Sequence, residues 1–474
     1  MLSSGQKISR LEQLNSLHSL LKKEHSIDDL KADVYYLKQV LEANHPSLYY
    51  YIDKNQLDEK FDSLINTLDH PQTSMQFRSQ LMNVIGSIGD GHIELQQQIG
   101  FLDSINESDL SPYNIEYMLP IRQLQPKVIN DRLFIYRNYS CDTTVKIGAE
   151  ILFIDDIPVK NIIKTLLSHF LASDGYNTTF KYQHLNNGLF NEACRTIFNW
   201  GDTVKIALKQ DGIIKMVSLT RKYRSDFPGN FVFYNDNPIV SFDDNWLINS
   251  QNDPLILTIG RFANADGDRF YHDLFREAQR QHIEDLIIDV RNNNGGSLNR
   301  VKKLLSYLID KPTVLMQLEK NKNVFLLDSM LAVDKTMKDA YASIDDPIMP
   351  ADSFGFKGNI YVLANGASFS AASVLPVFLS QLKNVTLVGN ETGGGGKRMT
   401  AIFFHQILLP NTKLTLRHGL LSVAFPGSSA RKGHGLIPDI RIDYNFDDYV
   451  LKKDKEMEWV MKDIAHRKSI TIKN

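Results

Sequence analysis

The sequence predicts a layered α/β fold, and three stretches carry that prediction. Residues 360–364, Ile-Tyr-Val-Leu-Ala, form a short apolar run rich in β-formers, stopped by Asn365-Gly366. Residues 371–382 then set Ala372, Leu375, Leu379 and Leu382 at helical spacing, and a second apolar run follows at 385–388. The third stretch, 285–290, is another apolar strand; it runs into Arg291-Asn-Asn-Asn-Gly-Gly296. Strands at 255–259 and 286–290, with helices at 268–281 and 298–308, extend the same alternation, which is the pattern of helices layered on a sheet.

Taken in order, residues 8–88 read as helices. The 27–43 segment places Leu30, Val34, Leu37 and Leu41 on one face, with Ser26 and Asp29 as start signals and Pro46 beyond its end. Residues 57–68 and 74–88 are two more amphipathic segments, and the second delivers His92 in the turn Asp90-Gly91-His92. From 116 to 222 the pattern is β-rich. Residues 203–208 and 215–221 form a hairpin turning at Asp211-Gly212, and a helical insertion fills 160–200. Residues 223–245 read as linker. The polar, weakly periodic stretch 328–354 suits a mobile flap. A β-rich tail covers 401–442. The expected boundaries are 1–115 (helical), 116–222 (β-rich), 223–447 (α/β) and 448–474 (C-terminal helix or tail).

Composition excludes several classes. At 474 residues and 43% hydrophobic the chain supports conventional cores, and a net charge of −2 gives no basic field for nucleic acid. No apolar run is long enough to span a membrane. Residues 1–7 lack the apolar segment of a signal peptide. Cys141 and Cys194 have no metal-ligand spacing and read as two buried free thiols, with a single disulfide as the alternative. There is no HExxH and no cysteine cluster, so neither a metal nor another cofactor is expected. The glycine run 389–397 fails the P-loop pattern, with Glu391 in place of its first glycine. No GxSxG elbow surrounds Ser370.

A serine where a strand-turn enters a helix can cap that helix. It can also stand beside the free N–H groups of the first turn, which suit an oxyanion. Ser368 and Ser370 are the two candidates. Here the chain resembles the C-terminal processing (tail-specific) serine peptidases and the related tricorn core. The resemblance rests on Asp90-Gly91-His92-Ile93, residues 286–296, Ser370-Ala371-Ala372-Ser373, Gly389-Asn390-Glu391-Thr392-Gly393 and Gly435-Leu436-Ile437-Pro438-Asp439, in the family's order. It implies a crotonase-like (ClpP-like) protease domain. The 145–159 stretch is similar to part of a PDZ domain, which makes 116–222 PDZ-like.

The resemblance further implies a serine endopeptidase with Ser370 as nucleophile and His92 as general base. Backbone N–H groups of Gly295 or Gly296 and of Ala371 would form the oxyanion hole. The substrate would be a polypeptide, and the setting extracytoplasmic, such as a bacterial envelope or periplasm; the residue 1–7 reading leaves a cytoplasmic one open. Lys397 falls near the catalytic lysine position of the tail-specific type. Two departures stand out: Ser373 replaces the family's glutamate, and Lys432 replaces the tricorn-type acid before Gly435. Asp90 and Glu391 are the acids that could serve instead. Without such an acid, the same fold could act as a binder of hydrophobic ligands or peptides. Asp289 and Arg291 read as a structural ion pair.

Overall fold

The computed structural model describes residues 23–97, 117–118, 120–170, 173–198, 200–223, 226, 244–248, 253–262, 267–319 and 325–471. Most of the expected 223–245 linker therefore lies outside the described residues. At the centre is a six-stranded sheet in the order Asn245–Leu247, Leu255–Thr258, Asp285–Asp289, Asn359–Ala364, Val385–Gly389, Ile440–Arg441. Its first pair is antiparallel and the rest are parallel. Every residue of Asp285–Asp289 is buried, as expected of a parallel strand covered on both faces. One face packs on helices Gly267–Arg280, Leu298–Ser306 and Ala371–Leu379 through the largest core. On the other face Ile287, Tyr361, Leu363 and Val388 meet Val460 and Ile464 of the C-terminal helix Lys455–Thr471.

Arg291 fastens that helix to the sheet. Its guanidinium bonds Asp289, Asp454 and Glu456, all at 3.2 Å or less. The ion pair read from the sequence is thus part of a larger buried network.

The N-terminal helices Ile27–Asn44, Lys54–Thr67 and Ser74–Gly86 start where the polar signals stand. Ser26 and Asp53 side chains accept the first-turn N–H groups, and Thr73 with Gln76 forms a capping box. The strand Glu94–Gln97, directly after His92, pairs antiparallel with Leu414–Ala424, so the helical layer shares a core with the C-terminal sheet. The middle unit is a six-stranded antiparallel sheet packed on helices Val159–His169 and Phe190–Phe198. Its hairpin turns at Asp211 (φ 51°) and Gly212 (φ 78°), both left-handed as a two-residue type I′ turn requires.

Two expectations need correction. The stretch read as a flap forms helices Phe325–Val333 and Lys335–Ala342, the second capped by Asp334. Buried Leu327, Ile344 and Ile348 anchor it to the main core; these anchors are too sparse to show as periodicity. Both cysteines are free, but only Cys194 is buried, while Cys141 is exposed.

Candidate active site

The strand Asn359–Ala364 ends in a turn held by Asn365, whose side chain accepts from Ala367 N–H and Asn292 N–H. Ser368 is spent there: its hydroxyl donates to Val290 O at 2.8 Å and accepts from Asn365 N–H at 3.0 Å. Ser370 differs. It sits at φ 55°, ψ −126°, a conformation non-glycine residues seldom adopt, directly before helix Ala371–Leu379. Its hydroxyl makes no capping hydrogen bond. Strain in a serine that does not cap its helix is the geometry of a presented hydroxyl. Ser373 instead turns back onto Ser370 O at 2.8 Å.

The Gly295-Gly296 turn lies against this serine. A Cβ on Gly295 would stand 2.7 Å from Ser370 Cβ and 3.0 Å from Ala371 N, so only glycine permits the approach. Gly295 N–H donates to the Asn293 side chain at 2.8 Å. Among the described residues no hydrogen bond is made by Gly296 N–H or Ala371 N–H. Of the two glycines, Gly296 is the one with a free donor.

His92 is buried, with its N–H donating to Asp90 Oδ1 at 2.7 Å. Its imidazole packs on the Phe369 ring at 4.7 Å between centroids and near Phe404 at 6.2 Å. Neither ring nitrogen has a hydrogen-bond partner, so His92 and Ser370 are linked through Phe369 rather than by a direct bond. Burial pushes the imidazole down to about 4, with Asp90 opposing and Arg417 adding to the shift.

The other candidates are engaged with other partners. Lys397 Nζ donates to Ser428 O at 2.8 Å. Lys432 Nζ stands 4.4 Å from the Tyr50 ring centroid. Glu391 accepts from Gly435 N–H and pairs with His434 at 3.2 Å. Asp90 holds His45 Nε2 at 2.9 Å and the His92 backbone, not its ring. Burial alone would raise Asp90, but the His45 bond and the nearby His92 outweigh it and hold the carboxyl low.

An acid that the motifs did not reveal lies here. Asp174, from the helical insertion, is buried and accepts Gly91 N–H at 3.0 Å and Gly395 N–H at 2.7 Å. Burial and then the Asp90 charge push its carboxyl up to about 7, against the pull of those N–H groups. Its only sequence signal is an acid before Gly175 in an inserted segment. Asp90, His92 and Asp174 each offer an atom within 4.8 Å of the others, as a metal site would. All four carboxylate oxygens already take part in hydrogen bonds to other groups, while the His92 ring nitrogens have no partner.

Residues 255–442 match the description Peptidase family S41. It is similar to a probable CtpA-like serine protease of Staphylococcus aureus, 26% identical over 188 residues, which are 40% of this chain and 33% of the relative. The corresponding Staphylococcus saprophyticus protein matches over the same share. The chain thus spans about a third of the length of the curated relatives it matches. Among solved structures, mature CPAF complexed with lactacystin aligns with TM-score 0.64 at 16% identity, covering 94% of this chain and 99% of that one. Mature CPAF gives TM-score 0.61 at 17% identity, over 92% and 96%. These likenesses show a shared fold.

Proposed function

We propose that the protein is a serine endopeptidase in which Ser370 is the nucleophile and His92 the general base. The observation that carries this is the strained, uncapped Ser370, directly before the unpaired Ala371 N–H and against Gly295, whose neighbour Gly296 also has an unpaired N–H. Ser370 Oγ attacks a peptide carbonyl as its proton passes to His92. The carbonyl oxygen takes the negative charge facing the two N–H groups, and His92 then protonates the leaving amine. Water releases the acyl group by the same route in reverse. For this the Phe369 ring must move from the imidazole when substrate enters, because it now covers His92.

In this reading the domains run 1–115, 116–222, 223–447 and 448–474. The catalytic part is crotonase-like and the second unit PDZ-like, supported by an antiparallel sheet that carries helices. The partner is a polypeptide. An extracytoplasmic setting belongs to the same reading, and no helix among the described residues is long and apolar enough to cross a membrane. A fluorophosphonate probe tests the proposal. Labelling lost in Ser370→Ala, with peptide hydrolysis lost alongside, supports an enzyme. A folded chain that resists the probe and cleaves no peptide favours the binder reading.

A further inference from the structure

The segment 173–177 is woven through the candidate site rather than laid over it. Gly175 N–H donates to Gly89 O, while Tyr176 and Asn177 N–H groups both donate to Gly433 O. Asn177 Nδ2 reaches Thr392 O at 2.6 Å. A Cβ on Gly175 would fall 2.2 Å from Gly433 Cα, so the two strands of loop touch backbone to backbone. This packing drives the Asp174 carboxylate between the turn that bears His92 and the glycine loop at Gly395.

We propose that Asp174 is the positioning residue for His92, supplying the acceptor that the lysine at 432 and the serine at 373 do not. The proposal rests on the reading of His92 as base. Three observations support it. The acids expected from sequence are committed, Glu391 to His434 and Asp90 to His45. Asp174 oxygens each receive one backbone N–H and keep a lone pair for another donor. Both His92 nitrogens are buried and unpartnered, and an Asp174 oxygen lies within 4.8 Å of one of them. A small turn of the imidazole, freed as Phe369 shifts, joins the two. One nitrogen then faces Ser370 and the other donates to Asp174, which stabilises the imidazolium formed when the serine proton arrives.

The charges around the pair are defined. Asp174 faces Asp90, Tyr51 and Arg398; His92 faces Asp90 and Arg417, and Arg417 is opposed by Glu94 at 4.0 Å. Behind Asp90 lie His45 and, stacked on it, His418, with His405 edge-on beyond. Asp174 must be ionised to act, so kcat/KM should rise with pH through about 7.

The experiment uses the full chain and a peptide substrate. His92→Ala comes first: retained activity would sink the base assignment and this inference with it. With that variant inactive, Asp174→Asn should lower kcat about 10²–10⁴-fold with KM little changed, and the limb near pH 7 should vanish. Asp174→Glu should restore part of kcat. Loss of activity with the limb unmoved would assign Asp174 to loop packing alone and overturn the inference, as would full activity in Asp174→Asn. If Asp174→Asn does not fold, the temperature dependence of the limb in the unaltered chain decides. A carboxylic acid's pKa hardly moves on warming, whereas an imidazole's falls, and a falling limb would overturn the assignment.

Discussion

The ring of Phe369 lies 4.7 Å from the imidazole of His92, inclined at 30°, so the residue before the candidate nucleophile covers the candidate base. The same ring would meet a Cβ on Gly91 at 2.8 Å. Phe369→Ala should admit water to His92 and raise its pKa from about 4 toward the usual 6.5. It should also cost about 3–5 kcal/mol of stability as a large-to-small core change. NMR titration of His92 and denaturant unfolding measure the two effects, and an unmoved titration would show that another contact keeps His92 dry.

The choice of base has a direct test. His92→Ala should lower kcat/KM about 10²–10⁴-fold. Lys397→Ala should change it little, because Lys397 Nζ is held by Ser428 O. Steady-state kinetics on one peptide suffice, and the reverse ranking would indicate a Ser/Lys dyad.

Gly295→Ala should be more harmful than its size suggests. Gly295 has φ 101°, and the added methyl would press on Ser370 Cβ. Fluorophosphonate labelling of Ser370 should slow by about 10²-fold or more, comparable to loss of an oxyanion donor. An unchanged labelling rate would place the turn farther from the reacting serine than this contact implies.

Stability should fall in mild acid. His92, His184 and His418 are each lowered to about 4, burial being the first cause in every case. Between that value and 6.5 the unfolded chain binds more protons than the folded one. Stability is therefore intact above pH 6.5 and declines as pH drops toward 4. Asp174, raised from 3.8 to about 7, acts oppositely, since the folded chain keeps a proton there that the unfolded chain releases. Three histidines against one carboxyl leave a net loss in acid. Urea midpoints from pH 7 to 4 check this, and a flat series would count against the buried histidines staying neutral.

Arg291→Met should cost about 3–5 kcal/mol, because it leaves buried carboxylates without their cation. Asp289 and Glu456 stay buried beside the substituted residue. Hydrogen exchange should rise selectively at the start of Lys455–Thr471, where Arg291 ties the helix to the sheet, and less at its far end, where Arg467 and Lys468 still pair with Asp285.

Much of the chain could be read directly because its signals are local. Ser26, Asp53 and Thr73 cap helices within three residues of themselves, Asp211-Gly212 turns the hairpin between its own strands, and short apolar runs mark the central strands. The strand, turn and helix around Ser370 and the loop bearing His92 belong to this class. Tertiary structure decided what electrostatics and hydrogen bonds require over a few ångströms, whatever the distance along the chain. Arg291 finds Asp454 across 163 positions, and Asp174 joins Gly91 across 83 and Gly395 across 221. Lys397 stands near a catalytic position in sequence, yet its side chain turns to Ser428. Spacing in a sequence constrains a pair only when backbone geometry links its members. The neighbours of His92 come from four separate segments, brought together by loop closure and packing.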